Sequence, residues 1–210
     1  VCRMNYIKQV NFELKRFMKL FVALVVFVSV AQIMAAVISA WNYNNRAQKQ
    51  MTQEKLLINE YVERYGNYSI ANFMNENLFQ FSVAFAVAVL MIYVFFIWYR
   101  DWFGKSSFIY RLLMLPTARR DIYFAKLTTI LLFVFVLLGV QVLLIEIAEL
   151  IIRAILPVEL YVDLGRQHAY SNDFLAILFP QSLLAFLLTY GIGTALVATL
   201  FTSILLERSF

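Results

Sequence analysis

From Leu20 to Trp41 the chain runs without a single charged residue, and it does so again from Leu78 to Tyr99 and from Phe174 to Leu206. A further run, Leu127 to Arg153, is broken only by Glu146, Glu149 and the closing arginine. Helices of this length rise about 1.5 Å per residue and cross roughly 30 Å of hydrocarbon, where every backbone polar group must be satisfied within the segment. Few architectures remain open to such a chain. Apolar residues make up 62% of it and charged ones 15%, which excludes a single water-soluble globular domain. The fold class is an all-α membrane protein of four transmembrane helices. The spans are expected at about 20–41, 78–99, 127–153 and 180–206. The last of these starts at Pro180 because residues 174–206 are too few for two spans and a turn, and the proline breaks or kinks a short interfacial piece capped by Asn172 and Asp173.

The distribution of charge orients the spans. Residues 1–19 hold Arg3, Lys8, Lys15, Arg16 and Lys19 against Glu13 alone. Lys8, Lys15 and Lys19 share one helical face, and Val10, Leu14, Phe17, Met18 and Phe21 the other, which reads either as an N-terminal interfacial amphipathic helix on anionic membrane lipids or as a basic flank of the first span. Residues 100–126 carry six bases against Asp101 and Asp121, whereas loop 42–77 balances four bases with four acids and loop 154–173 is acidic. The positive-inside rule therefore places the N-terminus, loop 100–126 and the C-terminus in the cytoplasm, with loops 42–77 and 154–173 outside, in a single transmembrane domain. Within loop 42–77 a helix is expected over Ala47–Tyr65, ending near Gly66. The net charge of +5 gathers beside apolar runs, so it implies lipid head groups and topology and no nucleic acid.

Chemistry-bearing patterns are few. There is no phosphate loop, no Cys or His cluster, no zinc-protease motif and no nucleophile elbow, so no catalytic residues, metal site or cofactor is assigned, and any energy input must come from another chain. The lone Cys2 forms no disulfide within the chain, and the single His168 is read as a loop residue. Gly191 and Gly193 are read as places of close helix packing, as are the small residues Ser29, Ala31, Ala35, Ala36, Ser39 and Ala40 in the first span. Gln141, Glu146, Glu149 and Arg153 give the third span a polar side. Two readings are open: an ion pair between Glu149 and Arg153 at the outer interface, or the lining of a pathway.

The most informative stretch lies between the second and third spans. Gly104 with Ser106 or Ser107 makes a helix start, Phe108, Ile109, Leu112, Leu113 and Leu115 form an apolar stripe, Pro116 ends the run, and Thr117 caps the helix that follows. A short apolar-faced helix presented to the cytoplasm is a surface that a soluble partner would grip. Leu112-Leu113-Met114-Leu115-Pro116-Thr117-Ala118-Arg119-Arg120-Asp121-Ile122-Tyr123-Phe124-Ala125-Lys126 resembles the segment Leu-Leu-x-Leu-Pro-x-Ser/Thr-Arg-x-x-Ile/Leu-x-x-x-Lys between the second and third spans of ABC-2 type ABC transporter permeases. Here Thr117-Ala118 stands where one small polar residue before the arginine is commoner.

The resemblance implies the membrane subunit of an ATP-driven exporter, with six spans of which this chain supplies four. The chain begins with Val and has no signal-peptide layout, which fits a part of a longer protein. The resemblance further implies that Phe108, Ile109, Arg111, Leu112 and Leu113, with Arg119 and Arg120, form a coupling helix and its flank that seat on an ABC ATP-binding subunit, the three arginines pairing either with acids there or with lipid phosphates. Two such subunits would hold ATP and magnesium, and a second permease chain would complete a homo- or heterodimer. Two alternatives stand beside it: a non-transport membrane sensor or immunity protein binding an external peptide, and an intramembrane protease. The glutamates and arginine of the third span resemble the cluster of proteases that process prenylated proteins, although that family has adjacent glutamates and intramembrane histidines.

Overall fold

The computed structural model describes residues 2–103, 119–163 and 173–207. Among them every regular element is helical: α1 (Cys2–Glu54), α2 (Ile58–Tyr65), α3 (Ile70–Met74), α4 (Asn77–Phe103), α5 (Arg119–Ile155), α6 (Asp173–Leu178) and α7 (Leu183–Glu207), with a 3₁₀ turn at Val158–Leu160. Four of them, α1, α4, α5 and α7, are long and apolar enough to cross a membrane. The protein is an all-α membrane protein.

α1 corrects two expectations. The proposed interfacial helix and first span are one unbroken helix that continues to Glu54, well into the expected loop 42–77. The physical reason is that neither glycine nor proline occurs before Gly66, so nothing interrupts the backbone ladder. Its buried positions, Glu13, Phe17, Phe21, Leu24, Val28, Gln32, Ala35 and Ser39, recur in steps of four, four and three residues. That spacing is an 11-residue repeat, which keeps one face of a helix turned to its neighbours with a right-handed supercoil. The basic face is real, with Lys8, Lys15 and Lys19 exposed, but Phe17 and Phe21 pack on Tyr93 and Phe133 instead of facing lipid.

The expected helix over 47–65 is likewise two helices. α1 closes at Lys55, which adopts a left-handed backbone (φ 55°), and the Leu56 amide reaches back to the Met51 carbonyl at 3.1 Å. This is a Schellman close made without glycine. A side chain in that conformation costs about 1–2 kcal/mol, so Lys55→Gly is expected to raise stability by about 0.5–1 kcal/mol after the entropic cost of glycine, read as a shift in the denaturation midpoint in detergent. α2 then ends as expected at Gly66 (φ 79°).

The helices form two compact units. One comprises Val1–Leu24, Ala86–Leu138 and Pro180–Phe210. It is built on the stack of Phe17 against Tyr93, with Phe133 edge-on to both rings, and on Phe201 wedged against Trp98 and Tyr123. The other comprises Val25–Phe85 and Gly139–Phe179. Its core sets Ala35, Ala36 and Ala40 of α1 against Phe73, Met74, Phe79 and Val83 and against Ile145, Ala148 and Ile152. The small residues of α1 thus admit close neighbours as expected. In this unit the connections after α2 and α5 meet in a parallel bridge between Tyr68 and Tyr161, closed by Tyr68 N–H to Leu160 O and Val162 N–H to Tyr68 O at 2.9 and 3.0 Å.

The last part of the chain breaks around Pro180. α6 stops at Leu178, and the Ser182 side chain accepts from the Ala185 amide to start α7. Gly139, Gly191 and Gly193 have nothing within 4 Å of where a side chain would begin. Among the described residues no element packs against Gly191 or Gly193.

Candidate functional site

In the first unit a network of five ionised side chains ties together the ends of α4 and α5 that flank the 104–118 segment. Lys126 Nζ donates to Glu13 Oε1 at 2.7 Å, to Asp101 Oδ2 at 2.5 Å and to the Ile97 carbonyl at 3.1 Å. An ammonium has three protons, and all three are used. Arg16 Nη1 reaches the second oxygen of Asp101 at 2.5 Å, and Arg100 Nη2 the second oxygen of Glu13 at 3.3 Å. The chain of charges runs Arg100, Glu13, Lys126, Asp101, Arg16, alternating in sign throughout. Lys126 and Asp101 are wholly buried and Glu13 nearly so, while Arg16 and Arg100 lie toward the rim.

The local sequence explains how this forms. Glu13 sits on the buried stripe of α1, one turn before Phe17, and Arg16 follows at i+3. On α4, Ile97 and Asp101 are one turn apart, and the Trp98 ring lies 5.1 Å from Lys126 Nζ as a cation–π wall. Ionisable groups at the edge of apolar helices are expensive unless paired and fully hydrogen-bonded. Here the pairing is complete at the centre, and the two arginines spread the charge outward. Neither Glu13, Arg16, Arg100, Asp101 nor Lys126 stands out from composition. The available signal was Glu13 itself, the one acid among five bases, set in register with Phe17, Phe21 and Leu24.

The residues expected to form the site fare differently. Phe108, Ile109, Arg111, Leu112 and Leu113 lie outside the described residues, as does His168. Arg119 and Arg120 open α5, with Arg120 exposed. Gln141 and the pair Glu149 and Arg153 meet different partners. Gln141 exchanges a reciprocal pair of amide hydrogen bonds with Gln32 of α1 at 2.9 and 3.0 Å, buried on both sides. Further along α5, Arg153 bridges Glu149 and Asp163, and the Tyr161 hydroxyl donates to Glu149. The ion-pair reading of Glu149 and Arg153 is the one the geometry matches. Glu146 is half-buried on the same helix. Burial pushes the Tyr161 phenol above its usual range and the nearby Tyr68 phenol up to about 12, so both stay protonated donors. Among the described residues no three His, Cys, Asp or Glu side chains group to hold a metal ion.

No family model, curated protein or solved structure matches the chain.

Proposed function

We propose that this protein is the membrane-spanning permease subunit of an ATP-driven ABC transporter, an exporter, coupled to a separate ATP-binding subunit through the segment between α4 and α5. The observation that carries the reading is Lys126. The lysine that closes the permease-like motif Leu112 to Lys126 is the buried cation that holds Asp101 of α4 and Glu13 of α1. A segment that passes movement from a soluble motor to a membrane bundle needs both of its ends fastened, because a loose attachment dissipates displacement in side-chain and backbone rearrangement. The network fastens α4 just before the segment leaves it and α5 two turns after the segment enters it, and it fastens both to α1.

The stripe of Phe108, Ile109, Leu112 and Leu113 then seats in a groove of the ATP-binding subunit, and Arg111, Arg119 and Arg120 meet acidic groups there. The cytoplasmic membrane, with the N-terminus inside, is the location that the basic residues of α1 and of 100–126 favour. ATP and magnesium bind the partner, present in two copies. α7 offers a surface for a second permease chain or for two further spans. Leu183, Leu184, Leu187, Leu188, Ile192 and Leu196 are exposed along it, and Gly191 and Gly193 leave room for a close approach.

The test is co-purification of the full-length protein from its native membrane in mild detergent, with and without Leu112→Asp plus Leu113→Asp. An ATP-binding subunit is expected with the wild type, and at least about tenfold less with the double variant, since two charges enter an apolar anchor. An unchanged melting temperature shows that the variant remains folded. If no ATPase accompanies the wild type, the transporter reading fails and a sensor of an external ligand replaces it.

A further inference from the structure

The second unit contains a polar cavity of about 410 Å³, within the range of roughly 300–1,000 Å³ usual for small-molecule sites. None of its lining residues belongs to the charge network, and its place along the helices is informative. The apolar run of α1 ends at Trp41 and that of α4 begins at Leu78. The cavity is lined around those ends, by Ser39, Asn42, Tyr43 and Arg46 on α1, by Tyr68, Asn72, Asn75 and Glu76 in the connection that follows, and by Asn77 and Leu78 at the start of α4. It therefore lies at the level where hydrocarbon gives way to water, beside an exposed Trp41 of the kind that marks this boundary.

Two halves of its wall have opposite chemistry. Arg46 has no carboxylate partner among the described residues, although Arg16, Arg64, Arg100 and Arg153 are all ion-paired. A guanidinium left open beside asparagine amides and the first amides of a long helix is an anion site of the phosphate type. Glu76 accepts from Ser39 with one carboxylate oxygen, and the other has no partner among the described residues. Near it the rings of Tyr43 and Tyr68 stand 4.8 Å apart at 47°. Both hydroxyls are held, Tyr43 by donating to the Gly66 carbonyl at 3.0 Å and Tyr68 through its bond with Ser39. A carboxylate next to two pinned aromatic faces suits an ammonium ion.

We propose that this cavity binds the head group of a phospholipid carrying both a phosphate and a primary ammonium, with the phosphate on Arg46 and the ammonium against Glu76, Tyr43 and Tyr68. A primary ammonium is favoured over a quaternary one because Glu76 and the asparagine carbonyls accept hydrogen bonds, and only N–H groups use them. Leu78 continues the wall toward hydrocarbon, and Phe81, one turn along α4, is largely exposed to it. The site stands whether or not the chain couples to an ATPase.

Native mass spectrometry of the full chain, released from micelles doped with equal phosphatidylethanolamine and phosphatidylglycerol of matched acyl chains, reads the preference directly. The wild type is expected to retain the ethanolamine lipid about tenfold over the glycerol lipid. Glu76→Gln, which keeps the shape, should abolish that preference. Arg46→Ala should weaken both lipids, and Arg46→Lys should restore part of the binding. Soluble phosphoethanolamine in millimolar excess should not displace the lipid. Equal retention of the two lipids by the wild type, or displacement by the soluble head group, overturns the proposal. So does a preference that survives both Glu76→Gln and Arg46→Ala.

Discussion

Lys126→Met is expected to lower the stability of the protein by about 3–5 kcal/mol, read from denaturation in mixed micelles. The figure follows from what the substitution leaves behind and not from the worth of the ion pairs as such. Bringing five charged groups together at the edge of an apolar bundle costs desolvation energy comparable with what their attraction returns. Removing the central cation leaves the carboxylates of Glu13 and Asp101 both buried, both facing the vacated space, each with only a rim arginine. Uncompensated buried charge of that kind is what makes breaking such a pair cost several kcal/mol. The argument makes a second, sharper statement. Combining Lys126→Met with Glu13→Gln and Asp101→Asn removes the stranded charge, and should recover more than half of the loss. Arg16 and Arg100 can then turn outward, since their side chains are already 26% and 30% exposed. A Lys126→Met protein within 1 kcal/mol of the wild type would mean that the network is decorative. A triple variant no better than the single would mean that packing around the lysine stem, against Trp98, is what matters. Lys126→Arg should fall between, because a planar guanidinium cannot point three protons at Glu13, Asp101 and the Ile97 carbonyl from one nitrogen.

How far the sequence foretold this arrangement differs from element to element. Uncharged runs locate α1, α4, α5 and α7, because a continuous apolar segment of that length has nowhere stable to be except across a bilayer. Helix ends are another matter. Gly66 and Pro180 mark real interruptions, but the break at Lys55 depends on a left-handed lysine that no local preference announces. Its capping bond is visible only in three dimensions. The charge network was hidden for a different reason. Basic flanks are normally read for topology, and that reading treats each Lys or Arg as solvated. Glu13 and Lys126 are the residues for which this fails, and only the alignment of Glu13 with the apolar stripe betrays it. The polar residues of α5 were grouped by helical spacing, yet spacing fixes a face and not a partner. Gln141 found Gln32, while Arg153 found Asp163 in the following connection. The Tyr43, Tyr68 and Glu76 constellation lay wholly beyond sequence reasoning, since it joins α1 to a connection through the Ser39 hydroxyl.

The other large effect belongs to Phe73, for which Phe73→Ala is expected to cost about 3–5 kcal/mol. Phe73 lies on α3, only five residues long, in the connection between α1 and α4. A helix that short has no stability of its own and is held by what it buries. Phe73 is wholly buried, as is Phe79, whose ring centroid lies 5.1 Å away. Around them are Met74 and the small faces of Ala35, Ala36 and Ala40. Because α3 falls outside the apolar runs, its unfolded reference is water and not lipid. The transfer and cavity terms measured for soluble cores therefore apply, whereas inside the bilayer the transfer term would largely vanish. The contrast gives the prediction its internal control. Val28→Ala, on the same buried stripe of α1 but within its uncharged run, should cost markedly less than soluble-core values, because only packing is lost. Phe73→Ala should also free the bridge between Tyr68 and Tyr161, since Ser69 at the start of α3 follows Tyr68 directly. Hydrogen exchange at the Tyr68 and Val162 amides would report that loosening. Protection unchanged at both amides, with a loss below 1 kcal/mol, would show that the connection is held by the bridge and by Tyr61 and Leu160 packed on Ala47, and not by the phenylalanine.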